Sequence, residues 1–212
     1  MKRRVALAAV ALIALAAPFA TPRVLAQETT RDCASATWLE PLQKASDSAS
    51  QAAPNDAPPW LAMELTDACS GTTFSLADFA GKTIYVEPMA TWCTNCRAQL
   101  GRVREASAQI PEAERDDIVL VALSSEVELP REDLATYAAE TEFPMIFAVM
   151  SADMLRAMVD DLGQEIAVPP AMPHFTIAPD GTVSDIATGE ESPEALLARF
   201  AALEVDTATV ST

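Results

Sequence analysis

The first apolar run of the chain is unlike anything that follows it. Lys2, Arg3 and Arg4 precede an unbroken apolar stretch from Val5 to Ala17, and small residues lead up to Val24-Leu25-Ala26. A charged start, a short apolar centre and a small-residue cut point predict a secretory leader over 1–26. The run is short for a bilayer span, and an uncleaved membrane anchor is the alternative reading. Residues 27–58 are rich in Ala, Ser, Asp and Pro. One short helix is predicted in "CASATWLEPLQKAS", with Trp38, Leu39 and Leu42 on one side, and then a linker.

After Trp60 the periodicity changes. "LAMELTDA" and "TTFSL" predict two short strands around Ser70-Gly71. "KTIYVEPMA" and "DIVLVALSS" are nearly continuous apolar runs, as strands buried on both faces are. Between them, Leu100, Val103, Ala106 and Ile110 recur at helical spacing. "PREDLATYAAET" predicts a helix with proline at its first position, "PMIFAVM" an extended run, and "SADMLRAMVDDLG" a helix ending at Gly163. "HFTIAP" and "TVSDIAT" flank a Pro-Asp-Gly turn and predict a second hairpin. "SPEALLARFAALE" is a last helix capped by Ser192, and 205–212 a frayed tail. Strands alternating with helices predict a three-layer α/β domain with a mixed sheet over 59–204.

Charge narrows the partners. The chain carries 31 acidic and 14 basic residues, a net charge of −17. Loss of a leader holding Lys2, Arg3, Arg4 and Arg23 leaves ten basic residues and a net charge of −21. Such a surface repels nucleic acid and anionic lipid and favours partners with neutral or basic faces.

The chemistry lies in four cysteines. Cys93 and Cys96 form a Cys-x-x-Cys pair where the first buried strand runs into a helix. Structural zinc needs four N or S ligands, whereas the chain offers one close pair and a single histidine, His174. A purely structural staple between residues this close would restrain little of the unfolded chain. Redox chemistry suits the position better, because helix N-terminal N–H groups stabilise a thiolate at Cys93. Cys96, one turn on, is placed to resolve a mixed disulfide. Export brings an oxidising compartment, so Cys33 and Cys69 are expected to form a structural disulfide. Its loop of about 36 residues would stabilise by roughly 3–4 kcal/mol.

"LTDACSGTTFSLADFAGKTIYVEPMATWCTNCR", together with "MPHFTIAPDGTV" downstream, resembles the thioredoxin superfamily, and in particular its exported TlpA/ResA-like branch. The resemblance implies a thioredoxin-like three-layer α/β/α fold with a mixed sheet and an extra N-terminal hairpin. It implies a periplasmic thiol–disulfide oxidoreductase without a cofactor. It further implies a reductase of client-protein disulfides, for instance in cytochrome c or copper-site maturation; a periplasmic reductase needs a membrane electron donor, and cleavage of the leader leaves a soluble mature form. Carried over by position, Cys93 is the nucleophile and Cys96 the resolving thiol. Trp92 flanks the nucleophile. Pro173 is a cis-proline beside the dithiol, and Met172 before it offers backbone groups to substrate. Glu87 is a buried acid able to exchange a proton with Cys96. Departures stand at Asn95, Gln99 and Gly101, where the family often has proline, glutamate and proline. A second reading stays open: His174 with both cysteines, and Met89, Met145, Met150, Met154, Met158 and Met172 as soft ligands, would make a copper(I) chaperone.

Overall fold

Two runs in which almost every residue is apolar become the centre of a sheet, because both of their faces are covered. In the computed structural model, which describes residues 57–201, these are β3 (Thr83–Met89) and β4 (Ile118–Ser124), buried throughout. β5 (Ile146–Val149) lies parallel outside β4, and β6 (Phe175–Ile177) lies antiparallel against β3. The sheet order is β5-β4-β3-β6, with β3 and β4 parallel. β1 (Leu65–Thr66) and β2 (Thr73–Phe74) form the expected first hairpin, joined to the edge of β5 by a bridge from Asp67 to Ala148.

Strand alternation divides the core in two. Tyr85, Met89, Leu120, Ala122, Met145 and Phe147 face one side, where they meet α1 (Thr94–Ser107), α2 (Arg131–Thr141) and α4 (Pro193–Ala201). Ile84, Val86, Val119, Val121, Ile146, Phe175 and Ile177 face the other side, against α3 (Ala152–Leu162) and Trp60. The three-layer α/β/α fold with its added hairpin is therefore present. α3 is held at its start by Ser151, whose Oγ accepts Met154 N–H at 3.1 Å. Ser151→Ala is expected to cost about 1 kcal/mol, read as a lower urea midpoint with unchanged slope; an unchanged midpoint would remove the cap from the account.

Some expectations change in detail. Pro130 is the residue before α2 and not its first position. "TVSDIAT" makes no strand: only His174–Ala187 and Ile177–Val183 bridges form around the Pro-Asp-Gly turn. Ser184 explains part of this, since its side chain takes Thr176 N–H at 3.0 Å in place of a ladder bond. Pro88 does not interrupt β3, because β6 pairing stops at Val86 and leaves no bond there for Pro88 to break. α1 runs unbroken through Gly101. The leader at 1–26, the helix and most of the linker to 56, Cys33 and the tail at 205–212 lie outside the described residues. Among the described residues, no helix is long and apolar enough to cross a membrane.

Candidate active site

Where β3 ends, the chain makes one turn before α1. Cys93 N–H donates to Ala90 O at 3.0 Å, and α1 begins at Thr94. Glu126, in the loop after β4, clamps this turn from outside. Its Oε2 accepts Thr91 N–H at 2.6 Å and the Thr91 hydroxyl at 2.9 Å. Cys93 is thereby the N-cap of α1, and its Sγ accepts Cys96 N–H at 3.1 Å. Unpaired N–H groups and the helix dipole make this a position that favours a sulfur anion.

A disulfide joins Cys93 and Cys96, with an S–S distance of 2.17 Å. The two sulfurs have different surroundings. Cys96 falls on the buried stripe of α1 with Gln99, Leu100 and Val103 and is fully buried. Cys93 is 3% exposed and follows Trp92, which is 63% exposed and marks the outer side of the site.

Glu87 lies on β3 in step with Tyr85 and Met89, so it faces the same side of the sheet as the cysteine pair. It is fully buried; Tyr85 Oη–H donates to its Oε2 at 3.0 Å, and its Oε1 has no partner. Burial pushes its pKa up to about 8, against the Tyr85 hydrogen bond, which pulls it down. A buried acid with that pKa trades protons near neutrality.

Opposite the start of α1 lies a short 3-10 turn at Pro169–Ala171. Pro169 O stands 3.1 Å from Cys96 Sγ, and Asn95 Nδ2 donates to Pro170 O at 3.4 Å. Met172 and Pro173 follow, both buried. The cis-proline expectation is corrected: among the described residues there is no cis peptide bond, and the Met172–Pro173 bond is trans. An Xaa–Pro bond separates its two isomers by only about 0.5–1 kcal/mol, so local context decides. Here Met172 turns the chain itself, in the left-handed region at φ 52.

The geometry places Met172 and Pro173 just after the Pro169 and Pro170 carbonyls that meet Cys96 and Asn95, and puts Glu87 on the sheet face shared with the cysteine pair. It does not assemble the copper(I) set. His174 is fully buried, with Nδ1 2.9 Å from Met172 O and Nε2 3.2 Å from Glu191 Oε1. Met89 and Met145 lie in one core, and Met150, Met154 and Met158 lie in the other, across the sheet. Among the described residues, no group of three or more His, Cys, Asp or Glu could hold a metal ion. Cys69, half-buried after β1, is disulfide-bonded. Its expected partner Cys33 lies outside the described residues.

Sequence reading missed Glu126, Pro169 and Glu191. Nothing marks them locally, because each reaches the site from a distant part of the chain. Tyr85 was findable, since period-two alternation puts it on the same face as Glu87.

The Redoxin family model matches residues 48–202. No curated protein matches the chain. Among solved structures, a thiol:disulfide interchange protein of the thioredoxin family from Chlorobium tepidum TLS is 19% identical, with 71% of this chain and 99% of that one covered at a TM-score of 0.57. A secreted Mycobacterium tuberculosis disulfide oxidoreductase, described as homologous to E. coli DsbE, is 18% identical, covering 69% and 100% at 0.53. BsSco, of the Sco family of cytochrome c oxidase assembly proteins, is 14% identical, covering 72% and 97% at 0.52. At these identities the likeness shows the shared thioredoxin fold. With the family match and a Cys-x-x-Cys pair closed at the head of α1, the chain belongs to the Redoxin family as a thioredoxin-like thiol–disulfide oxidoreductase.

Proposed function

We propose that the protein is an exported, periplasmic reductase of disulfides in a restricted set of client proteins, re-reduced by a membrane electron donor. The observation that carries the reading is the division between the two sulfurs. Cys93 sits at the helix N-cap beside exposed Trp92, whereas Cys96 is sealed in the core on the face that holds Glu87. In the reduced protein, the Cys93 thiolate attacks one sulfur of a client disulfide, and the other client sulfur leaves as a thiolate. Cys96 then loses its proton to the Glu87 carboxylate and attacks Cys93 Sγ. The Cys93–Cys96 disulfide forms, the second client thiolate leaves, and two electrons have passed to the client. A donor dithiol returns the pair to the reduced state.

The leader pattern at 1–26 supports export, and the engaged state of Cys69 suits an oxidising compartment. The net charge of −17 would restrict docking to neutral or basic clients. Cysteine pairs that must be reduced before a haem or copper site is assembled are clients of this kind. An equilibrium redox titration followed by tryptophan fluorescence, with Trp92 as reporter, tests the direction of electron flow. A reductase lies below roughly −180 mV; a potential above about −150 mV would overturn the reading.

A further inference from the structure

The segment Pro169–Pro173 crosses the start of α1, and its carbonyl groups are taken up in turn. Pro169 O accepts Met172 N–H at 2.8 Å and stands over Cys96 Sγ; Ala171 O accepts Gly189 N–H at 2.8 Å. Met172 O meets His174 Nδ1 at 2.9 Å. A carbonyl only accepts, so Nδ1 carries the proton in this contact. Met172 holds φ 52 and ψ 55, a conformation that a residue with a side chain keeps only where its surroundings impose it. His174 is the side chain that its carbonyl meets.

The far side of the ring faces Glu191 without a hydrogen bond. Nε2 stands 3.2 Å from Glu191 Oε1. Arg199 grips the same carboxylate, with Nε–H donating to Oε2 at 3.0 Å and a second contact from Nη2 to Oε1. Burial alone would raise the Glu191 pKa, but Arg199 and His174 together hold it below the usual carboxylate value. Glu191 N–H donates to Gln99 Oε1 at 3.1 Å. Gln99 lies on α1, one turn after Cys96, and both are fully buried. The contacts therefore leave α1 at Cys96, pass through Pro169, Met172, His174 and Glu191, and return to α1 at Gln99.

We propose that His174 is a positioning residue for exchange at Cys93–Cys96. By fixing Met172 O it keeps the Pro169 carbonyl over Cys96. In the reduced protein the Cys96 thiol donates to that carbonyl, which withholds Cys96 from outside reagents until a mixed disulfide has formed on Cys93. The kinetic consequence rests on the oxidoreductase reading above; the positioning does not.

The test uses Cys96 itself. In a Cys93→Ser background, the rate at which iodoacetamide alkylates Cys96 is followed by peptide mass mapping. Adding His174→Leu raises that rate about tenfold or more, while His174→Asn, whose amide can donate from near the Nδ1 position, restores protection. In the two-cysteine protein, His174→Leu raises KM for a peptide disulfide more than it lowers kcat. A wild-type protein that turns over no disulfide overturns the proposed function, and the alkylation rates still decide the role of His174. The chain has one histidine, so its imidazole nitrogen resonances need no assignment. They should show Nδ1 protonated, with a slowly exchanging proton, in the wild-type protein. An unprotonated Nδ1 overturns the proposal whether or not the variants fold. So does a folded His174→Leu variant with unchanged alkylation, or a His174→Asn variant alkylated as fast as the leucine one.

Discussion

Cys93→Ser abolishes thiol–disulfide exchange, a loss of about a thousandfold or more, whereas Cys96→Ser leaves a chain that captures its client as a stable mixed disulfide. The asymmetry follows from where α1 begins. Cys93 is the N-cap, its sulfur receives Cys96 N–H, and it borders exposed Trp92. Cys96 is fully buried under Pro169 O and can reach only a sulfur already bonded to Cys93. In the reduced protein, alkylation at about pH 6–7 therefore modifies Cys93 first. Mixed disulfides with a disulfide-bearing client protein, formed on the Cys96→Ser chain and absent with Cys93→Ser, are the expected result. Exchange that survives Cys93→Ser, or faster alkylation of Cys96, would reverse the assigned roles.

Glu87→Gln removes a pH dependence from both stability and exchange. The folded protein keeps a proton on Glu87 up to about pH 8, while the unfolded chain releases it near the ordinary value of 4.5. Between those values the native state binds more protons than the unfolded state. Stability therefore falls as pH rises through this window and is flat above it. Glutamine keeps an oxygen for Tyr85 Oη–H to donate to and carries no charge, so the variant loses this slope. Above pH 8 it gains over wild type by roughly 3–5 kcal/mol as an upper limit. Exchange behaves in the opposite sense. Only the carboxylate accepts a proton from Cys96, so the wild-type rate climbs towards pH 8 and the glutamine variant lacks that climb. Urea midpoints and single-turnover exchange rates, each taken from pH 5 to about pH 9, check both effects. Parallel profiles for the two proteins would make Glu87 a bystander.

Pattern alone determined most of the elements of this protein. Continuous apolar runs announced β3 and β4 because a central strand buries both faces, and the spacing of Leu100, Val103 and Ala106 announced α1 because a helix buries one stripe. The Cys-x-x-Cys pair at the strand–helix junction announced the chemistry, since both thiols and the helix end that activates one of them lie within a few residues. Glu87 was legible for the same reason, as an acid inside a buried strand. What pattern missed were contacts between distant segments. Glu126 reaches Thr91 across 35 positions, and Pro169 O reaches Cys96 across 73. The approach of Glu191 to the buried ring of His174 was likewise decided by tertiary structure. Only packing on opposite sides of one sheet separated the methionines that, along the chain, read as a set of copper ligands.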